Sequence, residues 1–114
     1  MDYQDNLPLS EAVFFILLSL APGPKHGYAI MKHVQALSDS RVSMSTGTLY
    51  GGLKRLLDGG WVRRINEDGE NESGRERKAY ALTQLGKGIL EAETARMENL
   101  VVTAQKRSTA GGEI

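Results

Sequence analysis

Residues 45–65 read STGTLYGGLKRLLDGGWVRRI, and within them a helical pattern gives way to a strand. The leucines of the first part recur at spacings of four and three, which predicts an amphipathic helix with one buried stripe. Ser45 or Thr46 is suited to cap its first turn. The run Asp58-Gly59-Gly60 ends the helix, and residues 61–65 then read as a β-strand. The apolar positions of this helix are Leu49, Tyr50, Leu53, Leu56 and Leu57.

Two further helices are predicted before this segment. The first covers about residues 9–20, is apolar over most of its surface, and has Ser10 as its N-cap. Residues 22–24, Pro-Gly-Pro, end it because a proline cannot donate a backbone N–H. The second helix begins within residues 25–27 and ends near Leu37, with apolar residues on one face only. We therefore predict three consecutive helices.

A hairpin and a long helix are predicted after the third helix. The second strand covers residues 78–82, and the polar segment 66–77 joins it to the first strand. The last helix begins at Thr83 and reaches about Arg107. The apolar residues that recur along it at helical spacing are Leu85, Ile89, Leu90, Met97, Leu100, Val101 and Ala104.

The order helix, helix, helix, hairpin, helix defines the predicted fold class, which is mainly α with a small β-hairpin. Three helices backed by a two-stranded hairpin form the winged version of the helix-turn-helix, whose third helix enters the major groove of DNA. We assign residues 8–83 to this domain and residues 84–107 to a C-terminal dimerisation helix. Residues 1–7 and 108–114 are expected to be disordered tails.

The composition excludes several classes of protein. A chain of 114 residues is the size of one ordinary domain, which argues against a two-domain enzyme. The absence of cysteine excludes disulfides, thiolate–zinc sites and thiol nucleophiles. The most apolar run, residues 12–21, is about half as long as a membrane helix. We expect a soluble, cytoplasmic protein that does not bind a membrane.

The charge is unevenly distributed although the formal net charge is zero. Residues 25–64 contain seven basic and two acidic residues, a net charge of +5, and the remainder of the chain compensates for it. This basic segment coincides with the second and third helices and the first strand. It indicates either a nucleic-acid-binding face or an ordinary solvated one.

Four blocks of sequence resemble the PadR-like family of bacterial transcriptional regulators, over about residues 12–93. They are HGYAI at 26–30, GTLY at 47–50 followed by LKRL at 53–56, GWV at 60–62, and RKAYALTQLG at 77–86. The resemblance implies a winged-helix repressor that dimerises through its C-terminal helix and binds a short inverted repeat. In many members a small molecule releases the repressor. The single C-terminal helix is similar to the shorter branch of the family. Gly51 stands where members commonly have proline.

Candidate DNA contacts follow from the helix-turn-helix reading. The first turn of the third helix reaches the groove, although Ser and Thr there are also ordinary caps. The resemblance places a tyrosine of that helix at the DNA surface, and Lys54 lies one turn beyond it, whereas Arg55 points to another side. Lys78 and the basic residues before it suit a wing, but five acidic residues lie in the same loop. The candidate DNA-binding residues are Tyr28, Lys32, Ser45, Thr46, Thr48, Tyr50, Lys54, Arg75 and Arg77.

The apolar stripe of the last helix needs a partner surface. A twofold dimer formed with the first helix would bury it and present two recognition helices roughly 34–36 Å apart. The alternative is that the helix folds back on its own protomer. The candidate dimerisation residues are Phe14, Ile89, Met97, Leu100, Val101 and Ala104.

Other chemistry finds no support in the sequence. His26 and His33 lie seven residues apart with no further histidine or cysteine, so we expect no metal site. Residues 47–54 lack the Lys-Ser/Thr pair of a phosphate-binding loop, and no cofactor or enzymatic activity is expected. The predicted partners are double-stranded DNA with an inverted repeat, a second copy of the chain, and a small-molecule effector of unknown identity. The second hypothesis is a winged-helix module that binds another protein and no DNA.

Overall fold

The computed structural model describes residues 3–67 and 77–110, and it confirms the predicted fold class. A short 3₁₀ turn at the start of the chain precedes four helices and three strands. In chain order the elements are the 3₁₀ turn Tyr3–Asn6, α1 (Glu11–Leu20), β1 (Lys25–His26), α2 (Gly27–Leu37), α3 (Thr46–Asp58), β2 (Val62–Glu67), β3 (Arg77–Leu82) and α4 (Gln84–Ala110).

Side-chain hydroxyls cap three of the helices. Ser10 Oγ accepts the backbone N–H of Val13 at 3.2 Å, and Ser45 Oγ accepts that of Thr48 at 3.1 Å. Each bond satisfies one of the donors that a first helical turn leaves without a partner. The predicted cap Ser10 is confirmed, and Ser45 rather than Thr46 caps α3. At the start of α4, Thr83 Oγ1 accepts the N–H of Gly86 at 3.1 Å and donates to the carbonyl oxygens of Gly60 and Trp61, between α3 and β2.

The sheet has three strands in the order β1-β3-β2, so the central strand is β3. Its pairing with β2 is the predicted hairpin, and both partners are antiparallel to it. The expectation of only two strands is wrong, because Lys25 and His26 pair with Tyr80 and Ala79 before α2 begins. A two-residue strand has no periodicity to detect, and its pairing depends on residues more than fifty positions away.

The hydrophobic core lies where α1, α2 and α3 meet the sheet and the first half of α4. Leu17, Ile30, Val34, Leu49 and Ile89 are completely buried there. Burial of such aliphatic side chains supplies the main driving force for folding. Because α3 buries only one stripe, its opposite face remains in contact with solvent.

The turn between α2 and α3 has a left-handed conformation at Asp39 and Ser40, with φ of 58° and 65°. Aspartate adopts this region more readily than most residues. Ser38 Oγ accepts the backbone N–H of Val42 at 2.9 Å and thereby closes the loop. The loop fixes the direction in which the chain approaches α3.

Two boundary expectations are corrected at the ends of the chain. Disorder over residues 1–7 is wrong for residues 3–7, because they form the 3₁₀ turn and pack Tyr3 and Leu7 against the core. At the other end α4 continues past Arg107 to Ala110. Residues 111–114 of the expected C-terminal tail lie outside the described residues.

The helix α4 extends beyond the domain. Its 27 residues correspond to a length of about 40 Å, and the longest dimension of the molecule is 66 Å. Residues 98–107 are exposed without exception, whereas earlier positions alternate between core and surface. The alternative prediction, that α4 folds back on its own protomer, is therefore wrong for residues 98–107.

Candidate nucleic-acid interface

The first turn of α3 presents three hydroxyl groups to solvent. Ser45, Thr46 and Thr48 are exposed, and Ser45 Oγ donates to Thr48 Oγ1 at 3.0 Å while it also caps the helix. Leu49 and Leu53 lie on the opposite face and are buried, so the turn is fixed in orientation. Hydroxyl groups at this position can donate to or accept from base edges and can donate to phosphate oxygens.

The glycines of α3 differ in their surroundings. A Cβ added at Gly47 or Gly51 would meet no atom within 4 Å, whereas one at Gly52 would lie 3.7 Å from the Ile16 side chain. Gly52 is thus buried against α1, and Gly51 is on the exposed face. No side chain protrudes from the exposed face of α3 at Gly47 and Gly51, and this permits close approach by another molecule.

Tyr50 connects α3 to the start of α2. Its ring is 45% exposed, and its hydroxyl end lies so close to Gly27 that a Cβ there would overlap it. The tyrosine is therefore a half-exposed side chain held in place by the backbone of the preceding helix. Its hydroxyl remains at the border of the exposed α3 face.

A groove with several cations separates α3 from the wing strands. It has a volume of about 560 Å³, and we call it the basic groove. Its lining residues are Tyr50, Leu53, Lys54, Leu57, Asp58, Arg64, Lys78 and Tyr80. The register of the hairpin pairs Arg64 with Tyr80, which brings one of these cations beside the tyrosine. Three basic side chains thus meet one carboxylate, Asp58, in this lining.

The electrostatics of the basic groove favour an anion. Burial raises the pKa of the Tyr80 hydroxyl above its ordinary value of 10.0, and the neighbouring Arg64 opposes this rise through its charge and a hydrogen bond. Lys54 Nζ lies 3.0 Å from Asp58, but both side chains are largely exposed. Exposed pairs contribute little, so the ammonium group can exchange this carboxylate for another anion at small cost.

Lys54 and Arg55 open onto different grooves, as their adjacent positions on a helix predict. Arg55 lines a separate depression with Pro8, Leu9 and Trp61. Arg64 was missing from the predicted DNA contacts. Pairing the two predicted strands from the sequence could have identified Arg64, because the register places it opposite Tyr80.

The predicted contacts on α2 share one exposed surface. Tyr28 is 67% exposed, and the Lys32 ammonium group lies 5.7 Å from the centre of its ring, a cation–π contact. His26 Nδ1 is 3.2 Å from the Lys78 carbonyl oxygen, which ties β1 to β3. Within residues 3–67 and 77–110, no three histidine, aspartate or glutamate side chains converge on a possible metal site.

Two predicted wing contacts cannot be placed. Arg75 lies outside the described residues. Arg77 is the first residue of β3 and pairs with Glu67, but only its backbone is described.

The predicted dimerisation residues divide into buried and exposed ones. Leu100 and Val101 are 56% and 53% exposed, and Ala104 is exposed as well. Phe14 and Met97 are half-buried. The assignment of Ile89 to the interface is wrong, because this side chain is completely buried inside the protomer and belongs to its core.

Val102 was not predicted, although it is 40% exposed and belongs to the same segment of α4. In the part of the chain that the structure describes, no helix is both long enough and apolar enough to cross a membrane.

An apolar groove lies beside the first half of α4. It has a volume of about 440 Å³ and runs between the end of α1, the end of β3 and α4. Its walls include Leu18, Leu82 and Leu90, while Lys87 and Glu91 contribute charge. Such a combination of apolar walls with a few polar groups is typical of sites for small organic molecules.

Comparison with protein families and solved structures gives a consistent result. The model of the transcriptional regulator PadR-like family matches residues 16–92, from α1 to the first half of α4. A PadR family transcription regulator from Clostridium difficile is 25% identical, with a TM-score of 0.71, over 85% of this chain and 97% of that one. A PadR-like transcription factor from Bacteroides fragilis is 28% identical, with a TM-score of 0.69, over 83% and 87% of the two chains. The predicted winged-helix fold is thereby confirmed.

Two further relatives match over only part of their own length. PadR from Bacillus subtilis, solved in complex with operator DNA, is 26% identical with a TM-score of 0.63, over 73% of this chain and 46% of that one. An uncharacterized 37.1 kDa protein in transposon TN4556 of Streptomyces fradiae is 35% identical over 91 residues, which are 80% of this chain. The match spans 24% of that relative.

Proposed function

The chain belongs to the transcriptional regulator PadR-like family, and from this premise we propose that it represses transcription as a homodimer bound to an inverted-repeat operator in double-stranded DNA. The family consists of transcriptional regulators and not of enzymes, in agreement with the sequence-based prediction. The observation that most supports the proposal is the position of the exposed first turn of α3 beside the basic groove. A repressor of this kind acts in the cytoplasm, which is the location we propose.

The exposed turn of α3 has the properties of a reading surface. Ser45, Thr46 and Thr48 offer hydroxyl groups, and Gly47 and Gly51 add no bulk between them. A helix that enters the major groove reads base edges mainly through its N-terminal residues. The buried leucines behind this turn hold it rigidly, so the hydroxyls are already oriented before DNA arrives.

The basic side chains around α3 supply phosphate contacts. Lys54, Arg64 and Lys78 surround the basic groove, and Tyr50 adds a hydroxyl donor at its border. Lys32 extends the cationic surface to α2, which crosses the DNA backbone in this type of domain. The related PadR of Bacillus subtilis was solved with operator DNA, and this supports DNA as the ligand.

The second half of α4 supports a homodimer. Leu100, Val101 and Val102 are exposed apolar side chains on one helix segment, and grouped exposed apolar residues are typical of protein–protein contact surfaces. A twofold axis along this segment covers the surface and gives the assembly two α3 helices, which matches the symmetry of an inverted repeat.

The effector belongs to the same proposal. The apolar groove between α1 and α4 adjoins the segment that forms the dimer, so a molecule bound there would alter how the two domains are held. Release from DNA is the response that we propose. Its test is a screen of small apolar molecules for those that lower DNA affinity of the dimer.

The DNA proposal is tested by titration of labelled DNA at increasing salt concentration. DNA selected from a random pool should contain an inverted repeat, and affinity should fall about 10³-fold between about 50 and about 200 mM salt if about six phosphates are contacted. Lys54→Ala and Arg64→Ala should each reduce the slope of log affinity against log salt concentration by about one. The reduction should be the same on selected and random DNA.

Arg55→Ala is the matched control, since it removes a cation from the next residue of the same helix, which lines a different groove. Equal effects of Lys54→Ala and Arg55→Ala would contradict the assignment of the basic groove. Absence of affinity for any DNA, together with a protein partner that co-purifies in stoichiometric amount, would favour the protein-binding alternative.

A further inference from the structure

Glu93 is a buried carboxylate that the proposed DNA interface does not use. Its side chain is only 2% exposed, although it lies in the middle of the long helix α4. Burial of a charged group is unfavourable unless the charge is paired and hydrogen-bonded. The partners of Glu93 therefore indicate what holds this part of α4.

The carboxylate has partners on two different segments. The backbone N–H of Leu9, just before α1, donates to Oε2 at 2.9 Å. From α4 itself, Arg96 donates through Nε to Oε1 at 2.5 Å and through Nη2 to Oε2 at 3.1 Å. The hydrogen bonds from Arg96 lower the pKa of Glu93 and, together with that from Leu9, outweigh the opposing effect of burial. Glu93 is thus ionised and attaches α4 to the start of the chain.

A second contact lies one turn before Glu93 on α4. The ring of Tyr3 packs so closely on Gly88 that a Cβ at this position would overlap it. Residues 3–9, which we call the N-terminal strap, therefore touch α4 at Gly88 and again at Glu93. Residues 3–7 of the strap had been expected to be disordered.

These contacts determine the direction of α4. Its first residue is fixed by Thr83, which bonds to the carbonyl oxygens of Gly60 and Trp61. Thr83 and Glu93 are ten residues apart, about 15 Å along the helix. Ile89 and Leu90 hold the first turns of α4 in the core, and Glu93 is the last buried residue that the structure describes along the helix, so its attachment fixes the axis where α4 leaves the domain.

We infer that Glu93 and the N-terminal strap are positioning elements that fix the angle at which α4 leaves the winged domain, and through it the separation of the two α3 helices in the dimer. This inference rests on the proposed function for its consequence on DNA. Leu100 lies about 10 Å beyond Glu93, and the end of α4 about 25 Å beyond it. A tilt of about 10° at Glu93 therefore displaces that end by about 4 Å. Because half-sites occupy fixed positions on the double helix, such a change alters which spacing is bound.

The angle itself can be measured without DNA. The chain has no cysteine, so Gln35→Cys on α2 and Lys106→Cys on α4 introduce one pair of spin labels at exposed positions. Labelled chains are diluted with unlabelled chains so that only the distance within one protomer is recorded. We expect a narrow distance distribution in the parent, at least about twofold broader with Glu93→Gln, and an intermediate width with Tyr3→Ala.

Glu91→Gln is the matched control, because it removes the same charge from an exposed position on the same helix. It should leave the distribution unchanged. Tyr3→Ala leaves the Glu93–Arg96 pair intact and provides the test if Glu93→Gln does not fold. An unchanged width in every folded strap variant would overturn the inference.

The consequence for DNA is tested with operators whose half-sites are moved apart or together by one or two base pairs. The parent should lose about tenfold or more in affinity at the wrong spacing, and Glu93→Gln should reduce this difference to about threefold or less. Affinity for an isolated half-site should stay the same. Retention of the full spacing preference by Glu93→Gln would overturn the inference. A protein that binds no DNA but shows the broadened distances would instead overturn only the proposed function.

Discussion

The two halves of α4 have opposite surroundings although they belong to one continuous helix. Residues 84–97 contact the domain through Ile89, Leu90 and Glu93, whereas residues 98–107 are exposed and present Leu100 and its neighbours to solvent. Apolar residues recur with the same helical spacing in both halves. Periodicity thus identifies an apolar stripe, while the neighbouring segments determine whether the protomer itself buries that stripe.

The largest effect is expected from a side chain at Gly86, where the first half of α4 begins. A Cβ there would overlap the carbonyl oxygen of Trp61, a backbone atom that cannot move aside easily. Gly86→Ala should lower the free energy of unfolding by about 2–3 kcal/mol, as overpacking does elsewhere. Urea denaturation measures it. Gly88→Ala is the control, since its added atom would meet the movable end of the Tyr3 side chain, and an equal loss there would contradict this explanation.

In the second half of α4, a charge should affect association rather than folding. Leu100→Glu places a carboxylate in the proposed dimer interface, where it must be desolvated opposite its own copy. The dimer dissociation constant should rise by about 100-fold or more, equivalent to about 2.7 kcal/mol. Sedimentation over a range of concentrations measures the constant.

Asn99→Glu adds the same charge to the neighbouring exposed position and should change the dissociation constant much less. Similar values for the two variants would place the interface elsewhere. The two halves of α4 would then differ in solvent exposure but not in their role in dimerisation.

The buried Glu93 in the first half of α4 should also make the free energy of unfolding depend on pH. Arg96 and the backbone of Leu9 lower the pKa of Glu93 below its ordinary value of 4.5. The contribution of the ionised Glu93 to the free energy of unfolding is therefore complete above pH 4.5. It is lost as pH falls through the lowered pKa. The free-energy difference between the parent and Glu93→Gln should be largest near neutral pH and shrink in acid. Denaturant titrations at several pH values would show this, and a difference independent of pH would contradict it.

The smallest effect is expected at Gly51, a helical glycine with open space beside it. Gly51→Ala should raise the free energy of unfolding by about 0.5–1 kcal/mol, because alanine loses less backbone entropy in a helix. The opposite sign from Gly86→Ala would sharpen the distinction between a glycine required by packing and one on an open face. If the open face approaches DNA, the same variant should bind its operator more weakly despite its greater stability.

The sequence predicted those features that depend on neighbouring residues. Ser10 was identified as a cap and Ser45 as one of two candidates, because the bonds they make lie within three residues, and α3 was bounded correctly by its leucine spacing and Gly59. The exposed hydroxyls and Lys54 follow from the same local pattern. Family resemblance added the role of this surface but not its geometry.

The features that escaped prediction depend on distant residues. The Leu9–Glu93 hydrogen bond joins positions 84 residues apart, and no periodicity records it. The strand at Lys25–His26 exists only through its pairing with β3. Arg64 was missed because its place in the basic groove depends on the register of the hairpin, and that register was not assigned from the sequence.

The contact between Tyr50 and Gly27 limits how the protein can be redesigned. A library that randomises Thr46 and Thr48 samples new DNA preferences while the Ser45 cap of α3 is kept, since these two side chains are exposed. Position 27 admits no side chain unless Tyr50 is shortened at the same time. Position 27 should therefore be varied only together with position 50 in any selection for altered specificity, and changes at position 27 alone should be depleted from the survivors.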